Sequence, residues 1–451
     1  MSVWSIIIAI IMLGVLVTIH ELGHFWVARL LKIKVYEVSI FIGPKLVDWR
    51  WHDVEYTVRA LPFGAYVRFT DFDENGNVVV DDDPLLLINS PRWKRLIVAL
   101  AGPFMNLALG VLIFTILFSF MGYPTNQLGG MKKGSQLEQA VAEQHITITE
   151  GDQLVAVNGQ RTPSAMDAQY ELDTGTRSVD PCVLTIRSHI TGDEYEVTIT
   201  PTVERRALIG ITHNTEINPR YNGWYVEYVY ESQNNGNPIL KQGDYLTAVN
   251  GVSVADENFN DYMATLTEGD TMTLTYYRNG VEYSEECIKT MITLTNERGP
   301  VFLVYEVKDF DTFLGAVRTA CTMPYTIINL SIKSIGDVFE GEEEVYNMVG
   351  GPIGMTAVVS DYVDNVDIDW GEKIQSVVQM AAVISIGLMF TNLLPIPGLD
   401  GNQLILIIVE MVMGHALSKK SESVINSVGM VLLICLALFA FASDIIRIIL
   451  E

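Results

Sequence analysis

The sequence predicts a multi-pass α-helical membrane protein. It has four transmembrane segments, a membrane-associated β element and two β-rich modules inserted between the second and third spans. Three observations point there. Only 18% of the 451 residues are charged and 49% are hydrophobic, where a soluble domain carries about 25% charged residues. Four apolar stretches reach the ~20 residues that a bilayer crossing needs. A nine-residue pattern in the long polar insert also recurs about one small domain later. The net charge of −25 argues against nucleic acid as the main partner. Cys182, Cys287, Cys321 and Cys435 show no paired spacing, so neither a disulfide scaffold nor a cysteine-zinc site is expected.

The first span runs from Trp4 to Leu31. It lacks a basic leader and a small-residue cleavage site, so it reads as retained rather than as a secretory signal. The second runs from Leu96 to Met121, the third from Ser376 to Leu394 and the fourth from Val424 to Leu450. Arg29, Lys32 and Lys34 follow the first span, Arg92, Lys94 and Arg95 precede the second, and Lys419 and Lys420 precede the fourth. These flanks should be cytoplasmic, which places both termini and the insert outside. Between the first two spans, Glu55–Phe69 alternates around Pro62 and Gly64. It predicts a cytoplasmic β-hairpin loop at about 53–69, whose exposed edge can hold a partner strand. Asp73–Asp83 is an acidic, solvated loop.

The insert from about Tyr123 to Asp309 is rich in Thr, Val and Tyr and punctuated by turn residues, which predicts β structure. Gly151-Asp152-Gln153-Leu154-Val155-Ala156-Val157-Asn158-Gly159 returns as Gly243-Asp244-Tyr245-Leu246-Thr247-Ala248-Val249-Asn250-Gly251. In each copy Asn-Gly ends an apolar strand and supplies a tight hairpin turn. The repeat resembles PDZ domains, modules that bind extended peptides or chain ends at a sheet edge. It predicts a first module over 123–215 and a second over 216–309. Residues 310–375 read as amphipathic linker helices on the membrane surface, between an N-terminal membrane core (1–122) and a C-terminal one (376–451).

The first span contains His20-Glu21-Leu22-Gly23-His24. Positions i and i+4 share a helix face, so His20 and His24 can grip one ion, and the adjacent Glu21 can act on its water. Ionisable groups inside an apolar helix are costly and need a reason. A catalytic zinc takes three protein ligands and keeps one open position. The third candidate is Asp400, in Asn392-Leu393-Leu394-Pro395-Ile396-Pro397-Gly398-Leu399-Asp400-Gly401, where prolines and glycines break the third span. Broken backbone at membrane depth is tolerated when buried in protein or lining a wet cavity. Each motif lies about 24 Å of helix from the start of its span, so the two halves can meet. Two histidines and a carboxylate also suit iron, but the glutamate beside His20 favours hydrolysis. Asn392 is a candidate hydrogen-bond donor to substrate. His52, His145, His189, His213 and His415 have no partner at ligand spacing.

The helix motif with its following Phe25-Trp26-Val27-Ala28-Arg29, and the late Asn392-x-x-Pro395-x-Pro397-x-Leu399-Asp400-Gly401, resemble the site-2 protease family. The resemblance is to its bacterial members with tandem PDZ modules, and covers nearly the whole chain. Gly102-Pro103-Phe104-Met105-Asn106 and Gly350-Gly351-Pro352-Ile353-Gly354 also suit that family. The pattern departs at Asn402, where a second Gly is common, making the neighbouring backbone less permissive. The resemblance implies an intramembrane zinc metalloprotease of the bacterial inner membrane, active near its cytoplasmic side. Zn2+ would be held by His20, His24 and Asp400, with Glu21 as general base and Asn392 in a supporting catalytic role. It implies second-step cleavage of single-span membrane proteins, such as anti-sigma factors or signal-peptide remnants, with the PDZ modules as a size filter. The alternative is a catalytically silent membrane scaffold whose PDZ pair binds partners. A metal transporter is disfavoured, because one buried site beside a general base makes no pathway.

Overall fold

The structure is a computed structural model that describes residues 2–70, 83–176, 181–200, 203–230, 232–256, 258–278, 280–295, 298–340, 352–364, 369–415 and 418–450. The chain divides into two compact units, one formed by Met1–Thr125 with Val304–Leu450 and the other by Asn126–Leu303.

Helix α1 (Val3–Leu30) is an uninterrupted apolar run started by Ser2, whose hydroxyl accepts the Ser5 N–H. Strands β1 (Glu37–Trp51) and β2 (Val54–Arg68) are each bent and pair with each other twice; Glu37 lies opposite both Arg68 and Glu55. The outcome is a four-stranded ribbon in the order 61–68, 37–42, 54–59, 45–51. His52 and Asp53, both at positive φ, make its two-residue turn. The sheet is therefore larger than the hairpin expected over 53–69. Its first half is masked in the sequence by Gly43-Pro44 and by charged residues, which break the alternation. The strand 61–68 lies at one edge, against α1. A Cβ at Gly14 would meet the Phe41 ring at 2.8 Å and the Pro62 carbonyl at 3.2 Å. Beneath it, Glu37 is buried and accepts from Arg59, Tyr66 and Thr57. Burial pushes this carboxyl up, but the three donors outweigh it and hold it below the usual range.

Helix α2 (Arg92–Met121) carries Pro103 in its interior. The insert follows as β3 (Tyr123–Met131), α3 (Gln136–Glu143), β4 (Gln153–Val157), β5 (Gln160–Arg161), α4 (Ala165–Thr176), β6 (Cys182–Arg187) and β7 (Glu194–Ile199). It continues with β8 (Val203–Leu208), β9 (Ile211–Asn218), β10 (Gly223–Val229), β11 (Tyr245–Val249), β12 (Val252–Ser253), α5 (Phe259–Thr265), β13 (Thr271–Arg278), β14 (Val281–Ile288), β15 (Thr290–Thr295) and β16 (Pro300–Tyr305). One sheet runs β16-β3-β4-β6-β7 with β5 on β4. The other runs β14-β13-β11-β10-β9 with β12 on β11, and β8 pairs with β15.

The repeated motif folds alike in both sheets. Asn158 and Gly159, and Asn250 and Gly251, all have positive φ, as a two-residue hairpin turn demands. Asn158 Oδ1 accepts the Val183 N–H at 2.8 Å, and Asn250 Oδ1 accepts the Thr273 N–H at 2.7 Å. The two cores are separate, around Leu154, Leu184 and Val197 in one and Leu246, Leu274 and Tyr276 in the other. Strand β16, which lies in the sequence after the second motif, pairs with β3, which precedes the first. Strand partners far apart along the chain leave no local trace.

The chain closes with α6 (Phe310–Glu340), α7 (Pro352–Val363), α8 (Trp370–Leu393), α9 (Asp400–Met413) and α10 (Lys419–Leu450). The stretch read as linker helices holds α6, one long helix through Pro324, and the shorter α7. In α6, Ala320, Met323 and Ile327 are buried with Phe114 of α2 and Ala382, Ile386 and Met389 of α8. Among the described residues, four helices are long and apolar enough to cross a membrane: Val3–Leu30, Arg92–Met121, Trp370–Leu393 and, within α10, Ser427–Asp444. The acidic stretch Asp73–Asp83, except its last residue, and Gly350-Gly351 lie outside the described residues.

Candidate metal centre

Helix α1 presents His20 and His24 on one face, both buried. Asp400 reaches them from the first residue of α9 because α8 ends at Leu393 and the chain reverses through the prolines. Gly398 turns at φ +100°. Gly401 brings the first turn of α9 directly onto the end of α8: a Cβ there would collide with the Leu393 and Leu394 carbonyls. The residue after it, Asn402, is helical and donates its N–H to Leu399 O. The expected restriction at this departure from the family pattern therefore does not arise, since no positive φ is required there.

The candidate ligand atoms form a triangle. Asp400 Oδ2 lies 2.9 Å from His20 Nε2 and 3.2 Å from His24 Nε2, and the two Nε2 atoms are 3.3 Å apart. Tetrahedral zinc with bonds of about 2.0–2.1 Å separates its ligand atoms by roughly 3.3 Å. The three atoms therefore fit one such ion without rearrangement, and they are the cluster of its kind among the described residues.

Helix α2 forms the floor. A Cβ at Gly102 would overlap His24 Nε2 and lie 2.6 Å from His20 Nε2, so only glycine leaves the space an ion would occupy. His24 Nδ1 donates to Val98 O at 2.7 Å, which leaves its Nε2 lone pair free. His20 Nδ1 meets the amide of the fully buried Asn106 at 3.2 Å, and Asn106 Oδ1 lacks another partner. The amide orientation that satisfies both groups has Oδ1 accepting from Nδ1–H. It fixes His20 in the same tautomer as His24, as ligating histidines require.

Glu21 lies beside the triangle and accepts the Val67 N–H, from the edge strand of the sheet, at 3.1 Å. A cavity of about 620 Å³ opens here, lined by Glu21, His24, Val67 and Asp400 at one side and by Arg95 and Glu410 further along. The structure thus brings His20, Glu21, His24 and Asp400 together. Asn392, in the last turn of α8, is half-buried, its side chain makes no hydrogen bond to a described residue, and it is not part of the cavity wall. Sequence reasoning assigned no role to Gly102, Asn106, Val98 or Val67. The first two stood in a family-like motif whose spacing to the histidines only the fold reveals.

The family model of peptidase family M50 matches residues 8–436. The chain belongs to this family. Its membership makes it a peptidase of the site-2 protease type, as the two motifs suggested. The regulator of sigma E protease of Haemophilus influenzae is 24% identical over 98% of this chain and 99% of its own. The zinc metalloprotease RasP of Geobacillus kaustophilus is 24% identical over 98% and 97%. Among solved structures, the HtrA3 PDZ domain bound to a phage-derived ligand matches 21% of this chain and 93% of its own length. It does so at 18% identity and a TM-score of 0.16, too low to establish a shared fold.

Proposed function

We propose that this M50 peptidase is a zinc enzyme that hydrolyses peptide bonds within the membrane spans of single-span proteins, with His20, His24 and Asp400 as ligands. The observation that carries the reading is the ligand triangle beside Glu21 inside a helix long and apolar enough to span a bilayer. Bound there, zinc supplies the Lewis acidity that peptide hydrolysis needs. Glu21 takes a proton from the attacking water and returns one to the leaving amine. Val67 holds that carboxylate through its N–H. The outer edge of strand 61–68, apart from the Val67 N–H that Glu21 takes, pairs with an unwound substrate segment as an added strand. Asn392, with its amide uncommitted, donates to the substrate backbone at the end of α8.

The PDZ-like modules lie outside a bacterial inner membrane in this reading, and both termini share that side. They screen out proteins with bulky outer domains, so that this enzyme makes the second cut. A relative whose name refers to regulation of sigma E supports anti-sigma factors as the substrate class. The test is a tagged single-span reporter without its outer domain, co-expressed with the parent or with Glu21→Gln. Cleavage within the span by the parent alone, with metal retained in both, is the expected result. Equal cleavage with both would assign the activity to another enzyme.

A further inference from the structure

We infer that the basic first turn of α2 is a clamp that positions both ligand-bearing helices from their C-terminal ends. Three hydrogen bonds carry this. Lys94 Nζ donates to Leu31 O, the capping residue of α1, at 3.0 Å. Arg92 Nη2 donates to Gly414 O, the left-handed capping residue of α9, at 3.0 Å. Arg95 Nη1 donates to Glu410 Oε2, in the last turn of α9, at 3.0 Å. A helix end leaves carbonyls unsatisfied and carries the negative end of the macrodipole, so a cation there is favoured on both counts. Arg92 and Arg95, three residues apart, share a face of α2 and both reach α9. Lys94 lies off that face and reaches α1.

The two clamped helices are the ones that matter to the metal. Helix α1 carries His20, Glu21 and His24, while α9 starts at Asp400. Further along α2, Val98 O and Asn106 hold the two imidazoles. Helix α2 is thus the common reference for all three ligands. Its basic turn fixes the far ends of helices whose near parts it already touches, so neither can tilt independently of the other. The Arg95–Glu410 pair is largely shielded, with side chains 27% and 11% exposed, and Coulomb attraction there is weakly screened. These basic residues are also the ones that a topology rule reads as cytoplasmic flank charges. That role needs only charge, whereas a clamp needs geometry.

This difference makes the clamp testable, and the test rests on the zinc reading above. Full-length protein in detergent is loaded with zinc, and release to a chelator is timed for the parent, Arg95→Gln, Glu410→Gln and the exchange Arg95→Glu with Glu410→Arg. Each single variant should release zinc a few-fold faster, short of the roughly 10–100-fold that losing a direct hydrogen-bond partner of a ligand costs. Its kcat should fall while KM holds, and the exchange should restore slow release. Arg92→Gln and Lys94→Gln, at the helix caps, should speed release in the same direction if a Glu410 variant does not fold. Folded variants that all release zinc at the parent's rate would overturn the clamp. So would an exchange that releases as fast as the single variants. A parent that retains no zinc at all would instead overturn the zinc reading itself.

Discussion

Gly102 and Asn106 sit one turn apart on α2 and serve the imidazoles in complementary ways, one by leaving room and the other by holding a proton. Adding one methyl at Gly102 places carbon where both Nε2 atoms point. Gly102→Ala should therefore abolish metal retention while the helix, which tolerates alanine better than glycine, stays folded. Metal content with a thermal melt reads both at once, and a zinc-loaded Gly102→Ala protein would refute the assignment. Asn106→Ala removes the acceptor for His20 Nδ1–H and should weaken zinc affinity about 10–100-fold. Asn106→Asp, which keeps that acceptor, should lose less; competition with a chelator measures both. At this scale the sequence was legible for residues that carry their own signature. His20, Glu21 and His24 are conspicuous because ionisable groups do not belong in an apolar helix, and Asp400 stands beside helix breakers. An asparagine and a glycine in a span are ordinary by comparison. Their function follows from a neighbour more than 70 residues away.

Between elements, one contact that bears on Asp400 is made by a helix that carries none of the candidate ligands. Pro397 is seated on Gly429 of α10 so closely that a Cβ at Gly429 would overlap the Pro397 ring. Gly429→Ala must displace either α10 or the loop. Overpacking of this kind costs about 1–3 kcal/mol, and here it moves the chain three residues before Asp400. The expected result is reduced zinc retention that Pro397→Ala in the same chain partly restores; unchanged retention in the single variant would show that the loop is set elsewhere. The breaks in this loop were legible from Pro395, Pro397, Gly398 and Gly401, but the helix packed against them was not, because Gly429 lies in a plain apolar run. A second contact joins α7 to the start of α1. Asp364 accepts the Ser2 N–H at 2.7 Å and the hydroxyls of Ser2 and Ser360, each at 2.5 Å. Burial pushes its carboxyl up, but these donors outweigh it and hold it at about 2. A depressed carboxylate contributes stability that is present above its ordinary value near 4 and is lost as pH falls towards 2. Melting temperature should drop over that window in the parent, and by less in Asp364→Asn, which has no carboxylate left to protonate. Equal pH dependence in both would assign the effect to other groups.

On the scale of the molecule, the hydropathy of the chain marked its membrane and polar parts, and the repeat marked two modules. What it did not contain was their interlacing. Strand β16 follows the second module yet completes the sheet of the first, so the two cannot be removed one at a time at residue 215 without leaving a sheet short of a strand. Removing the whole of Asn126–Leu303 is different. In the unit that remains, Tyr123 and Tyr305 stack with ring centroids 5.8 Å apart, and a Cβ at Gly122 would lie 2.7 Å from Tyr305 O. The two cut ends are therefore neighbours, and a short flexible linker joins Thr125 to Val304 with little loop-closure cost. None of the ligands, the cavity or the α2 clamp lies in the excised residues. The shortened protein should bind zinc and cut a reporter that lacks an outer domain at close to the parent's rate. If the modules act as a size filter, it should also cut a reporter with its outer domain intact, which the parent rejects. Loss of both cleavages with zinc retained would make the modules part of substrate engagement. Continued rejection of the intact reporter would place the filter in the membrane core.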